Sequence, residues 1–414
     1  MNRLSISNSS RSFPVDKAPT TVAPSHRLSN IDMLRGLVII IMALDHVRDF
    51  FLVGGVEYPM ADPDVSVGLY ITRWITHFCA PVFIFLAGTS VGLMAERKPA
   101  KDIGTFVFKR GLWLVFVEVV IISTAWTFAP FGEAELGGLS LIVLQVIWAI
   151  GVSMMILAGA QFLGPRICLL LGVAIVAGHN LLDPIWPVGA ALEGNDIFWT
   201  FLHSQGTMVL GPFFVEVVYP LLPCTGIMLL GYGTSFLFNK PAVARDTLLI
   251  RIGVSFISIF VLLRFLGIYG DPNPWEIHST GLLSTFFDFM NVSKYPLSLL
   301  YFLATIGPMA IICAHADKVN GWLKETLVMF GRAPFAFYVA HFYLIHLLSV
   351  FFGMAQGFEV NQLMHIFIFY PEGYGTGLLG VYLIWGVVVA MLYPFCKWMA
   401  KVKATRKNWW LSYL

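Results

Sequence analysis

Charge is what this sequence has least of. Asp, Glu, Lys and Arg make up 12% of its 414 residues, against 57% hydrophobic residues. A soluble domain carries about twice that charged share, so the composition excludes an ordinary water-soluble fold and implies an integral membrane protein. The net charge of +2 is too small to suggest a nucleic-acid partner. Cysteine is also sparse. Cys79, Cys168, Cys224, Cys313 and Cys396 stand singly in apolar stretches, without the spacing of a disulfide framework or a metal motif. They read as small buried hydrophobes, and no metal is expected. The Ser-, Pro- and Thr-rich N-terminus lacks an apolar run, so residues 1–26 are expected to be a disordered tail rather than a signal peptide. No internal repeat and no soluble catalytic domain is visible.

Long apolar runs are what fills the space. A spanning helix needs about 20 mostly apolar residues. Candidates are 31–52, 74–95, 106–128, 138–160, 166–182, 213–238, 247–268, 296–315, 326–352 and 376–399. The expected fold is therefore all-α, with about ten transmembrane helices in one bundle forming a single domain over 27–400. Segment 197–212 is short and Gly-broken, which suits a re-entrant or interfacial piece. Arg97, Lys98, Lys101, Lys109 and Arg110 cluster around the turn between spans two and three, and Lys240, Arg245 and Arg251 flank the turn between spans six and seven. Residues 401–414 form a basic tail with Lys401, Lys403, Arg406 and Lys407. An even number of spans puts all these cations on one side. The positive-inside rule makes that side, and both termini, cytoplasmic. The opposite loops carry Glu133, Glu135, Asp183, Glu193, Asp196, Asp271 and Glu276. They are expected to build an outer mouth.

The first span holds the most informative polar pattern. Arg35 and His46 are separated by eleven residues of helix, about three turns, so they share a face about 16 Å apart. Ionisable groups inside a membrane helix are functional suspects. Asp32 lies one turn before Arg35, close enough for an ion pair. Two roles are open for Arg35: a snorkelling anchor, or a ligand for a phosphate group. Two are open for His46: a solvated helix end near Asp45, Arg48 and Asp49, or a general base. Asp45 points about 100° away from His46 and is expected to orient another group.

In span two, Arg73, His77 and Pro81 recur every four residues on one face, and Pro81 is expected to kink the helix. Arg73 and His77 are either interfacial anchors or the wall of a shared cavity. Glu118 and Gln145 are isolated polar groups suited to interhelical contacts. Lys294, before Pro296, is either a loop cap or part of the outer mouth. In span nine Tyr338 and His341 share a face.

At this point a resemblance enters. RLSNIDMLRG with LDH, RWITHFCAPVFIFLAG, KRGLWLVFVE, QVIWAIG, YPLLPCTGIMLLGYG, DPNPWE, NVSKYPLSLLYFLATIGP and FGRAPFAFYVAHFYLIH stand in order over most of the chain. The series resembles the bacterial family related to the catalytic region of heparan-α-glucosaminide N-acetyltransferase. The spacing of Arg35 and His46 is similar to that in the wider transmembrane acyltransferase superfamily, including sugar O-acetyltransferases. The resemblance implies an acyltransferase-like membrane domain in a bacterial inner membrane. Such proteins take acetyl groups from cytoplasmic acetyl-CoA and deliver them to a sugar or glycan on the other side. It implies that the first-helix histidine, matched by His46, is catalytic. The lysosomal enzyme of the family carries an asparagine at that place, and its own histidine lies in the following loop, where this sequence has none. N- and O-acetylation therefore both stay open.

The expected site follows from these readings. Arg35, with Asp32, Arg73 and Arg110, receives acetyl-CoA. His46 acts on the acceptor with His77 and Asp45. Lys294, Tyr338 and His341 contact the acceptor or the oxyanion. Arg35 and His46 must then face one tunnel. Membrane lipids and a second copy of the chain are the other expected partners. The alternative is a multi-pass transporter or flippase for a polar or lipid-linked substrate, with histidines as proton relays.

Overall fold

The computed structural model describes residues 29–54, 60, 65–185, 196–406, 408 and 411. The tail expected over 1–26, Glu193 and Lys407 lie outside the described residues.

Helix α1 (Ser29–Phe51) is about 34 Å long, enough to cross a hydrocarbon core. Helices α2 (Val67–Thr76) and α3 (Cys79–Ala95) form one broken span. The break at His77 and Phe78 lies one turn before Pro81, whose missing N–H cannot serve the His77 carbonyl. That carbonyl instead accepts the Tyr301 hydroxyl at 2.5 Å. The expected kink is present, and its freed acceptor is satisfied from another helix. Helix α4 (Ala100–Phe116) continues through a π-helical turn (Val117–Ile122) into α5 (Ser123–Thr127), which stops at Phe128 with a left-handed φ of 52°. Then follow β1 (Ser140–Leu144), α6 (Val146–Ala160), α7 (Pro165–Gly178), α8 (Asp196–Leu202), β2 (Gly206–Leu210) and β3 (Phe213–Val217). The chain ends with α9 (Leu221–Gly233), α10 (Ala242–Leu266), α11 (Leu282–Met290), α12 (Leu299–His315), α13 (Gly321–Arg332), α14 (Pro334–Gln356) and α15 (Leu378–Thr405).

Among the described residues, eight helical stretches are long and apolar enough to cross a membrane. Helix α1 and the α4–α5 rod match them in length but carry more charge. With these two the bundle has about ten crossings. Helices α9 and α12 are central, whereas α7, α10 and α15 keep most of their apolar surface on the outside.

Backbone contact replaces side-chain packing at the closest crossings, as small residues allow in membrane bundles. A Cβ on Gly36 of α1 would stand 1.8 Å from the Leu327 carbonyl oxygen of α13, and one on Gly331 would stand 1.7 Å from that of Asp32. Gly88 of α3 and Gly231 of α9 form a second reciprocal pair.

Three segments depart from the expected spans. Residues 138–145 and 213–217 are not helical. They form β1 and β3, paired in parallel, with β2 antiparallel to β3 in the order β1-β3-β2. The β2–β3 hairpin turns on Gly211 at φ 60°, a conformation glycine adopts without strain. Short apolar runs do not distinguish strand from helix until their partners are known. The piece 197–212 is divided between α8 and β2. The expected span 326–352 is two helices, because Pro334 starts a new one and Ala333 before it leaves the helical region (φ −128°, ψ 42°). At the far end, α15 runs to Thr405, so the first part of the basic tail is helix.

Candidate active site: two cavities on one helix face

Arg35, Ile39, Met42 and His46 follow the helical repeat down one side of α1. This stripe faces two cavities. The first, about 300 Å³, is lined by Arg35, Ile39 and Met42 together with apolar groups of α3, α4 and α6. Arg110, Arg332, Lys403 and Tyr338 also line it. The second, about 130 Å³, is lined by Met42, Asp45, His46, Arg48 and Asp49 of α1. Arg73, Trp126, Gln145, Glu216, Tyr219, Lys294 and Tyr295 complete its wall. Met42, Phe83 and Val146 line both cavities. Arg35 and His46 thus face two adjoining cavities rather than one uniform tunnel. Met42 stands on the stripe between the guanidinium and the imidazole and, with Phe83 and Val146, lines the place where the two cavities meet.

At the Arg35 end, the guanidinium donates to the Leu86 carbonyl at 3.3 Å and to the Ser90 hydroxyl. Asp32 lies 3.5 Å from Arg35 and 3.8 Å from Arg332. Asp32 lines neither cavity; it holds two arginines that do. The Tyr338 hydroxyl is buried and has no hydrogen-bond partner among the described residues. It belongs to this cavity, at the far end from Lys294.

At the other end, Asp45 is the hub. Arg73 Nη1 lies 2.7 Å from both of its carboxylate oxygens, Arg48 Nη1 3.0 Å from Oδ1 and Lys294 Nζ 3.2 Å from Oδ2. The Thr76 hydroxyl donates to Oδ1 at 2.9 Å. Arg48 also pairs with Asp49. Burial of so many charges is tolerated because each has an opposite partner. Arg73, expected beside the donor, therefore belongs to this ion cluster at the opposite end from Arg35. His77 lines neither cavity. Its Nδ1–H donates to the Arg73 carbonyl at 2.8 Å, and its ring lies against Tyr301 with centroids 5.4 Å apart.

The His46 imidazole sits among aromatic rings: Phe342 at 4.3 Å, His341 at 5.3 Å and Trp126 at 5.6 Å between centroids. Its Nδ1 is 3.8 Å from Asp49 Oδ2. His341 is fully buried behind it and lines neither cavity; its Nδ1–H donates to the Tyr338 carbonyl.

Lys294 reaches Asp45 because its loop is tied down from several directions. The Arg264 guanidinium donates to the carbonyls of Asn273, Asp288, Phe289 and Asn291 at 2.5–2.9 Å. Asp271 accepts from the Ser293 amide and the Ser298 hydroxyl. Burial pushes the Asp271 carboxyl above its ordinary range, although these donors and Arg264 oppose the shift. Glu118 has a comparable structural part. Its carboxylate accepts from backbone amides at the start of α6, including that of Gln145 at 3.3 Å. A side chain from α4's π-turn thus caps another helix and fixes Gln145 and Val146 at the cavity wall.

Arg48, Asp49, Trp126, Gln145, Glu216, Arg332 and Lys403 line the cavities without having been expected as site residues. Arg48 and Asp49 were readable as His46's neighbours. Gln145 stands out in the sequence only as an isolated polar group suited to an interhelical contact, and Lys403 only as part of the basic tail; Trp126, Glu216 and Arg332 come from distant segments and carry no local signal.

The family described as "Heparan-alpha-glucosaminide N-acetyltransferase, catalytic" matches residues 27–267. The chain belongs to this family. Membership places it among membrane acetyltransferases, a class of transferases whose acyl donor is in general acetyl-CoA. The match takes in Arg35, Asp45, His46, Arg73 and Arg110; Lys294, Tyr338 and His341 lie beyond it. A search of curated proteins gives no match.

Proposed function

We propose that the protein transfers an acetyl group from acetyl-CoA, bound at the Arg35 cavity, to a sugar hydroxyl or amine held at the His46 cavity. The observation that carries this reading is the single face of α1. It presents a guanidinium to one cavity and an imidazole to the other, with one turn between Met42 and His46.

The donor side has suitable chemistry. Arg35, Arg110, Arg332 and Lys403 offer cations to the phosphates of CoA, and the apolar wall suits the pantetheine arm. The acceptor side has hydrogen-bonding groups and flat aromatic surfaces (Trp126, Tyr219, Tyr295) of the kind that hold a sugar ring. In the step itself, His46 takes the proton of the acceptor O–H or N–H as that atom attacks the thioester carbonyl. The new C–O or C–N bond forms and the C–S bond breaks. The proton then passes from His46 to the departing CoA thiolate. Lys294 lies close enough to the same wall to steady the developing oxyanion.

Sidedness follows from charge. Arg97, Lys98, Lys101, Lys240 and Lys403 flank helix ends on the Arg35 side, so the positive-inside rule makes that side cytoplasmic. The acceptor would then come from across the membrane, in bacteria the periplasmic face.

The test is thermal stabilisation of the purified protein by CoA and acetyl-CoA, since a ligand of the native state raises apparent stability. Stabilisation, with release of free thiol when a glycan acceptor is added, supports the enzyme. No stabilisation, together with proton-coupled uptake of a polar solute into vesicles, would favour transport instead.

A further inference from the structure

We infer that Met42, Phe83 and Val146 form a collar that limits the length of the acyl group the protein accepts. This rests on the donor and acceptor sites proposed above. Among the described residues lining the two cavities, these three alone line both. Met42 and Val146 are buried, at 5% and 8% exposure. Met42 is one helical turn from His46, about 6 Å along the axis. A thioester approaching His46 from the Arg35 cavity therefore brings its acyl chain to the collar before the imidazole.

The three positions differ in freedom. Phe83 follows the Pro81 break in α3, and Val146 opens α6 directly after the residue whose amide Glu118 caps. Their backbones are held. Met42 has an unbranched side chain that moves between rotamers without backbone change. The collar thus opens by a methionine swing and is bounded by a rigid ring and a β-branched residue. The methyl of an acetyl group adds little beyond the carbonyl. Each further methylene must pass the collar and enter a space of about 130 Å³, where it competes with the acceptor. Steric exclusion by a packed wall discriminates more sharply than loss of a methylene contact.

The experiment measures the affinity of the full-length protein for CoA and for acetyl-, butyryl- and hexanoyl-CoA by calorimetry. Each acyl affinity is taken relative to free CoA in the same variant. In the natural protein hexanoyl-CoA should bind roughly tenfold or more weakly than acetyl-CoA. Met42→Ala or Phe83→Ala should bring the two within about threefold, by analogy with enlarged pockets. Val146→Ala is the milder variant if either of these fails to fold. Met42→Leu, close in volume, should keep the natural preference. Binding of CoA with an equal response to all chain lengths, or a preference that no collar truncation relaxes, overturns the collar and leaves the donor site standing. Absence of CoA binding in the natural protein removes both.

Discussion

Arg73 Nη1 stands 2.7 Å from both oxygens of Asp45, joining α2 to the last turns of α1 inside a membrane bundle. The carboxylate also holds Arg48 and Lys294. Asp45 is thus the anion that lets three cations stay buried. Asp45→Asn should destabilise the protein by about 3–5 kcal/mol, the cost of breaking a buried pair. The measurement is the melting temperature in detergent. Asp45→Asn together with Arg73→Met should recover part of the loss, because fewer charges are then stranded. A single variant that melts like the natural protein would refute the hub.

His46→Ala should abolish acetyl transfer, a loss of about 10²-fold or more for a removed acid–base group. CoA should still stabilise the variant, because the imidazole lines the other cavity from the one proposed to hold the CoA phosphates. Activity equal to the natural protein would remove His46 from the mechanism.

The cations at the Arg35 cavity should not be equal. The Arg35 side chain is 22% exposed and bonded to α3, whereas Arg332 is 49% exposed. Exposed pairs contribute little and are screened by salt. Arg35→Ala should therefore raise the apparent KM for acetyl-CoA more than Arg332→Ala. The smaller Arg332 effect should fade at high ionic strength. An unchanged KM in Arg35→Ala would make that residue a structural anchor.

Gly331→Ala should separate α1 from α13. The added Cβ would meet the Asp32 carbonyl at 1.7 Å, and rigid backbone cannot yield as a side chain does. The expected cost is about 1–3 kcal/mol or more, read as a lower melting temperature. CoA affinity should fall as well, since α13 carries Arg332.

Tyr301→Phe removes the donor to the His77 carbonyl left free by Pro81. An unsatisfied buried acceptor costs about 1–3 kcal/mol. The variant should melt lower, and a repeat in Pro81→Ala, where the helix can use that carbonyl itself, should show a smaller loss.

Much of the bundle was legible because hydropathy and helical period are local. Each of the ten apolar runs contains a helix, although two of them begin as strands, and the Pro81 break is where a missing N–H puts it. The small sheet was not legible. SLIVL and FFVEV are apolar runs whose strand character depends on pairing with each other across some seventy residues of intervening chain. The division of 326–352 was readable in principle from Pro334, but an apolar run on both sides masked it.

The sequence alone determined that α1 carries Arg35, Ile39, Met42 and His46 on one face, since a 3.6-residue repeat needs no partner to define it. It could not assign those residues to one space or two. Only the tertiary structure brought Lys294 to Asp45 from 249 positions away, left His77 off both cavity walls, and placed Met42, Phe83 and Val146 on the lining of both cavities. Charge pairing and steric closure are properties of groups that meet in space, and the chain records only their order.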